Sequence, residues 1–159
     1  MALDGMHEKF MDRAIALAET SLKNQGGPFG AVIVKEGMVV GVGTNCVTLE
    51  NDPTAHAEIV AIRSACQTVE DFQLEGCEIY SSCEPCPMCL AAIYWAGIET
   101  IYYAATREDA EKIGFADNFI YQEFGRPIDQ RKLPMQQLLR DQALQGFRQW
   151  EELEDKIPY

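Results

Sequence analysis

Read for periodicity, the chain opens with a helical stripe. In E-K-F-M-D-R-A-I-A-L-A-E-T-S-L-K-N (Glu8–Asn24), Phe10, Ala14, Leu17, Ala18 and Leu22 recur at the spacing of one helix face, which predicts a surface helix packed on a core. N-Q-G-G-P-F-G then breaks the pattern. Two β-branched runs follow, Ala31–Lys35 and Met38–Val42, around Glu36-Gly37, and runs so joined predict a hairpin. Asp52-Pro53 has the form of an N-cap followed by proline at the first helical position, which predicts a helix over Thr54–Val69. Cys77–Ser82 reads as a short strand, Cys86–Ala96 as a helix entered through Pro85, and Ile98–Ala104 as a strong strand. A helix over Arg107–Gly114 is expected next, then an aromatic-rich loop, F-A-D-N-F-I-Y-Q-E-F. Leu133–Leu138 fits strand or helix from its local sequence, and Gln142–Lys156 is expected to be helical. Strands alternating with helices predict an α/β layered sheet whose first two strands form an antiparallel hairpin.

Composition changes this picture little. The 159 residues, with no repeat, low-complexity tract or linker, fit one domain over 1–159. Charge changes it more. Acidic residues outnumber basic ones 25 to 13, a net charge of −12, and no window forms the basic stripe that nucleic-acid binders use to displace counterions. The balance disfavours nucleic acid and favours small uncharged or weakly charged substrates. The apolar runs are too short to span a bilayer, so no membrane partner is expected. M-A-L-D-G-M-H-E-K-F at the N-terminus lacks the apolar core of a signal peptide. A cytoplasmic protein is expected, with its six cysteines serving as thiols or metal ligands rather than a disulfide framework.

The chemistry concentrates in two segments, T-A-H-A-E (Thr54–Glu58) and P-C-P-M-C (Pro85–Cys89). Three cysteines, Cys83, Cys86 and Cys89, are equally spaced, so two overlapping Cys-x-x-Cys pairs compete. Cys86 and Cys89 fall in the first turn of one expected helix, three positions apart and on the same face. His56 falls in the first turn of another. Helix N-termini favour thiolate over thiol, and both helices should begin at the carboxyl edge of the sheet, where open α/β folds bind ligands. One nitrogen and two sulfurs leave a tetrahedral metal one open position, as in catalytic rather than structural zinc sites. Cys83, ahead of Pro85, belongs to the strand end outside that helical turn. Glu58, two residues past His56, cannot share its direction on a helix and should stand beside the metal as a proton shuttle. H-x-E followed by P-C-x-x-C is the signature of zinc-dependent deaminases.

The sequence resembles the cytidine-deaminase superfamily over nearly its whole length and, within it, the bacterial guanine deaminases. G-G-P-F-G-A-V-I-V (Gly26–Val34), N-D-P-T-A-H-A-E (Asn51–Glu58), S-C-E-P-C-P-M-C-L-A-A-I-Y-W-A (Ser82–Ala96), G-F-A-D-N-F-I-Y (Gly114–Tyr121) and the terminal Tyr159 carry the likeness. The zinc elements specify no base; the stretch after Gly114 and Tyr159 point to guanine. The resemblance implies a three-layer α/β/α sandwich with a five-stranded mixed sheet, Leu133–Leu138 supplying the fifth strand. It also implies a homodimer that exchanges its C-terminal segment. His56, Cys86 and Cys89 would bind Zn²⁺, with Glu58 as shuttle and Asp117 facing the departing amino group. Asn45 would hydrogen-bond the purine, the Ala57 backbone contact it, Phe29 and Trp95 pack around the ring, and Tyr159 cap the pocket. The implied reaction is hydrolytic deamination of guanine to xanthine and ammonia, by attack of metal-activated water at C2. A tRNA adenosine deaminase, a pyrimidine base or nucleoside deaminase and a non-catalytic zinc-stabilised module remain the alternatives at this point.

Overall fold

The computed structural model describes residues 2–159. In chain order the elements are α1 (Ala2–Lys23), β1 (Gly30–Lys35), β2 (Met38–Thr44), a single turn α2 (Val47–Glu50) and α3 (Ala57–Val69). β3 (Cys77–Cys83), α4 (Pro87–Trp95), β4 (Thr100–Ala105), α5 (Arg107–Lys112), α6 (Asp117–Phe124), a short 3₁₀ turn at Ile128–Gln130 and α7 (Arg140–Glu152) complete it. The hairpin forms where the sequence places it. Glu36 and Gly37 both take positive φ, 52° and 76°, the conformation that lets a two-residue turn follow the strands' twist. The register slips between Ile33 and Val34, where β2 carries an extra residue.

The strand order is β2-β1-β3-β4. β1 runs antiparallel to β2 and β3, and β3 runs parallel to β4. β2, β3 and β4 therefore all end at one edge, beside the start of β1.

Both sheet faces are covered, giving three layers. Ala31, Val32, Ile33 and Val34 of β1 are all buried, as a strand between two helical layers must be. Val32, Val34 and Tyr80 pack with Ala14 of α1, flanked by Phe10 and Leu17. Ala31, Ile33 and Ile79 pack on the other face with Ala57, Ala61 and Ala65 of α3 and Ile93 of α4. Leu22, the last residue of the helical stripe, is exposed.

The seat of α3 on β2 has a specific cause. A Cβ added to Gly43 would lie 2.0 Å from the Ala57 carbonyl oxygen, and one at Gly41 would lie 2.5 Å from that of Ala61. Two glycines facing a row of alanines let the helix backbone lie directly on the strand, which fixes the depth of His56 and Glu58 at its start. Gly43→Ala is expected to cost about 3 kcal/mol, the upper part of the overpacking range, since backbone rather than a flexible side chain blocks it. That corresponds to a melting temperature lower by roughly 6–12 °C, measurable by calorimetry; an unchanged melting temperature would show that α3 does not need this close seat.

Four expectations are corrected. The sheet has four strands among the described residues, not five. Leu133–Leu138 contains Pro134, which has no amide for a ladder, and it joins no strand of the sheet, with Leu133, Met135 and Leu138 exposed. α3 begins at Ala57, not Thr54. Asp52 closes a tight turn instead, its Oδ1 accepting the Thr54 amide at 2.8 Å and the Thr54 hydroxyl at 2.7 Å. The aromatic stretch expected as a loop is helical over Asp117–Phe124, with an acid in its first turn as the helix dipole favours.

The chain divides into two compact units, Met1–Ile120 and Tyr121–Tyr159. The sheet belongs to the first. In the second, Glu123 accepts the Lys132 amide at 2.7 Å and pairs with Arg126 at 2.9 Å. Apolar side chains of this unit, Leu138, Phe147 and Tyr159 among them, stand exposed.

Candidate active site

Two helices begin at the carboxyl edge of the sheet, and each begins on a candidate ligand. His56 is the N-cap of α3 and Cys86 the N-cap of α4. This refines the expected placement in the first turns. Pro87, not Pro85, occupies the start of α4, where a missing amide costs nothing. The His56 imidazole makes no capping bond and is turned to the site. The Cys86 sulfur accepts the Cys89 amide at 3.4 Å.

These residues converge. His56 Nδ1 lies 3.5 Å from Cys86 Sγ and 3.5 Å from Cys89 Sγ, and all three donor atoms fall within 4.8 Å of one another. With Zn–S near 2.3 Å and Zn–N near 2.05 Å, the nitrogen-to-sulfur edge of a tetrahedral site is about 3.6 Å. The observed spacing fits. The donor set suits the ion as well. A hydrogen bond from Cys89, and then one with His56, pulls the Cys86 thiol strongly downward, while the same bond to Cys86 pushes Cys89 up. A divalent cation takes both sulfurs as thiolates. Cys83 stands outside this cluster. Its sulfur points to the Thr106 carbonyl at 3.6 Å, and burial, helped by the Glu58 carboxylate, pushes its thiol up to about 11.

Glu58 is buried behind the ligands. Its Oε2 accepts from Cys89 Sγ at 3.5 Å and its Oε1 accepts from the Ser81 hydroxyl at 3.3 Å. Burial raises its pKa above the ordinary carboxylate value. A carboxyl group so placed, beside the candidate ligands, is positioned for proton transfer.

The ligands open onto a cavity lined by Phe29, Asn45, Glu58, Glu84, Phe115 and Asp117, with His56, Cys83 and Cys86 at its base. Asn45 has a fixed polarity. Its Oδ1 accepts the Gly27 and Val47 amides at 3.4 and 3.3 Å, so the carboxamide offers N–H donors to whatever enters. The Asp117 carboxyl is raised by burial and by the nearby Cys86 thiolate. Phe29 meets Phe115 edge to face at 4.8 Å and 84°, a favoured aromatic geometry.

The structure thus gathers Phe29, Asn45, Glu58, Asp117 and the three ligands at one place. Ala57 is fully buried beneath them, Trp95 stands 65% exposed on α4 away from the cavity lining, and Tyr159 is exposed in the second unit. Sequence reasoning missed Phe115, Glu84 and Ser81. Phe115 sits inside the G-F-A-D segment, where its pairing with Phe29 has no local signal. Glu84 has its oxygens on Arg107, accepting the backbone amide at 3.0 Å. Ser81 is one polar residue in a row of inward-facing strand positions.

Residues 5–105 match the family model of the cytidine and deoxycytidylate deaminase zinc-binding region. The chain belongs to this family. It is 49% identical over 154 residues to the guanine deaminase of Bacillus subtilis, covering 96% of this chain and 99% of that one. The X-ray structure of guanine deaminase from Bacillus subtilis superposes with a TM-score of 0.93 at 48% identity, over 96% of this chain and 98% of that one. A guanine deaminase from Nitrosomonas europaea gives a TM-score of 0.66 at 30% identity, over 88% and 81% of the two chains. The tRNA-specific adenosine deaminase of Aquifex aeolicus is 41% identical over 98 residues, 62% of this chain and 65% of that one. The likeness to guanine deaminase runs through the C-terminal unit; the likeness to the tRNA enzyme covers less of the chain.

Proposed function

We propose that this protein is a zinc-dependent guanine deaminase, converting guanine and water to xanthine and ammonia. The observation that carries the reading is the His56–Cys86–Cys89 cluster with a buried Glu58 beside it, in a chain similar to guanine deaminase along nearly its whole length. His56, Cys86 and Cys89 would hold the zinc, which when bound would make water acidic enough to supply hydroxide near neutral pH. Glu58 takes a proton from the attacking water and passes it to N3 of the purine as C2 becomes tetrahedral. The C2 hydroxyl then gives up its proton, through Glu58 or Asp117, to the amino nitrogen; the C2 carbonyl forms as the C2–N bond breaks and ammonia leaves. Phe29, in the cavity lining, flanks the ring, and the Ala57 backbone contacts it.

Asn45 supports guanine over adenine. Guanine presents acceptors at O6 and N7, whereas adenine presents an amino donor at position 6, and Asn45 has donors to offer. Asn45→Ala is expected to raise KM for guanine, lowering kcat/KM by roughly 10- to 100-fold, the worth of one or two such bonds. Steady-state kinetics checks this, and an unchanged KM would remove Asn45 from substrate contact.

We further propose a cytoplasmic homodimer that exchanges its C-terminal segment. The six free cysteines suit a reducing compartment. The exposed apolar side chains of Tyr121–Tyr159 need a surface to cover them, and among the described residues β4 pairs on one side only. Among the described residues no helix is long and apolar enough to cross a membrane.

Ammonia release assayed on guanine, adenine, cytosine and cytidine separates the readings. Guanine alone should react. Reaction of cytosine or cytidine instead would indicate a pyrimidine deaminase. No reaction on any free base, with reaction on tRNA, would favour the adenosine-editing alternative, against which the net charge of −12 stands.

A further inference from the structure

We propose that Ser81 is a positioning residue for the proton shuttle: its hydroxyl on β3 anchors one oxygen of Glu58 so that the other is presented to the metal cluster. Ser81 lies on the central stretch of β3, paired with Ala31 of β1 on one side and Tyr103 of β4 on the other. Strand alternation gives Ser81 the same face as Cys77 and Ile79, which line the apolar core beneath α3. A hydroxyl in that row, 2% exposed, needs a hydrogen-bond partner. Its partner is Glu58 Oε1 at 3.3 Å, in a buried contact 23 positions apart in sequence.

The two oxygens of Glu58 therefore do different work. Oε1 is tied to the sheet, and Oε2 lies 3.5 Å from Cys89 Sγ, at the side where the reacting water must stand. A glutamate has three side-chain torsions, and holding a proton carrier in one geometry is what makes its transfers fast. The first turn of α3 sets the Cα of Glu58 and offers the residue's own amide to the carboxyl; Ser81 adds a tie from Oε1 to the sheet.

This inference rests on Glu58 acting as the shuttle, and the experiment separates the two. Zinc-loaded parent, Ser81→Ala, Glu58→Gln and the double variant are compared in kcat, KM, zinc content and melting temperature, with whichever base the parent deaminates. Ser81→Ala is expected to lower kcat roughly 10- to 100-fold while KM, zinc content and melting temperature stay at parent values. In the Glu58→Gln background it should cause no further loss, because the group it positions is gone. A kcat within about twofold of parent, or the same fractional loss in both backgrounds, would overturn the proposal. So would a loss that follows zinc content or melting temperature, the mark of a packing role. A Glu58→Gln variant with near-parent turnover would instead remove the shuttle itself.

Discussion

Glu58→Gln is expected to bind zinc at the parent level and to deaminate guanine roughly 10³–10⁴-fold more slowly. The amide keeps the size of the side chain and can still take a hydrogen bond from Ser81, so the fold and the ligands are undisturbed. It cannot accept the proton that the water loses or hand one to the ring. Burial raises the pKa of Glu58, and that shift is useful because the carboxyl must be acid and base in turn within one cycle. Zinc analysis and a xanthine absorbance assay on the same preparation decide it. Near-normal turnover in a fully metallated variant would show that proton transfer runs elsewhere, with Asp117, whose carboxyl is also raised, the first residue to test.

The second large effect is expected from the ligands. Cys89→Ala should lose zinc, lose measurable deamination and melt at lower temperature, because a site built from three protein donors cannot hold the ion well with two, and metal binding adds to folding stability. Cys83→Ala, made on a cysteine equally spaced from Cys86, should keep its zinc. The contrast comes from geometry: Cys89 Sγ lies 3.5 Å from His56 Nδ1, whereas Cys83 Sγ is turned to Thr106. Zinc content by atomic absorption tests both variants. Loss of zinc from Cys83→Ala with retention in Cys89→Ala would reverse the ligand assignment.

Much of this site is legible in the sequence because it rests on local rules. A Cys-x-x-Cys pair at a helix start brings its sulfurs together whatever lies around it, and a histidine at another helix start joins them once the fold class sets both helices on one sheet edge. The precise caps were harder to read. Asp52-Pro53 looks like a helix start, yet Asp52 spends its side chain on Thr54, and both competing structures use the same residue types. Pro85 reads as the entry to α4, yet Pro87 occupies its start.

Tertiary pairings left still less trace. The contact of Phe29 with Phe115 joins residues 86 positions apart by number, and the bond from Ser81 to Glu58 joins a strand to a helix. Neither leaves a periodic signal. Leu133–Leu138 shows the opposite failure. Its apolar content permits a strand, but Pro134 and the lack of a partner within the described chain leave it out of the sheet. The glycines of β2 read as weak strand formers, and their purpose appears only when α3 is seen lying on them.

Isotope-labelled water reports on hydrolysis at C2 of guanine. Zinc-loaded protein incubated with guanine in ¹⁸O-water should yield ammonia and xanthine carrying a single ¹⁸O at C2, located by mass spectrometry, while chelator-stripped protein should yield neither. Absence of xanthine from fully metallated protein, with hypoxanthine formed from adenine, uracil formed from cytosine or inosine formed in tRNA instead, would contradict it.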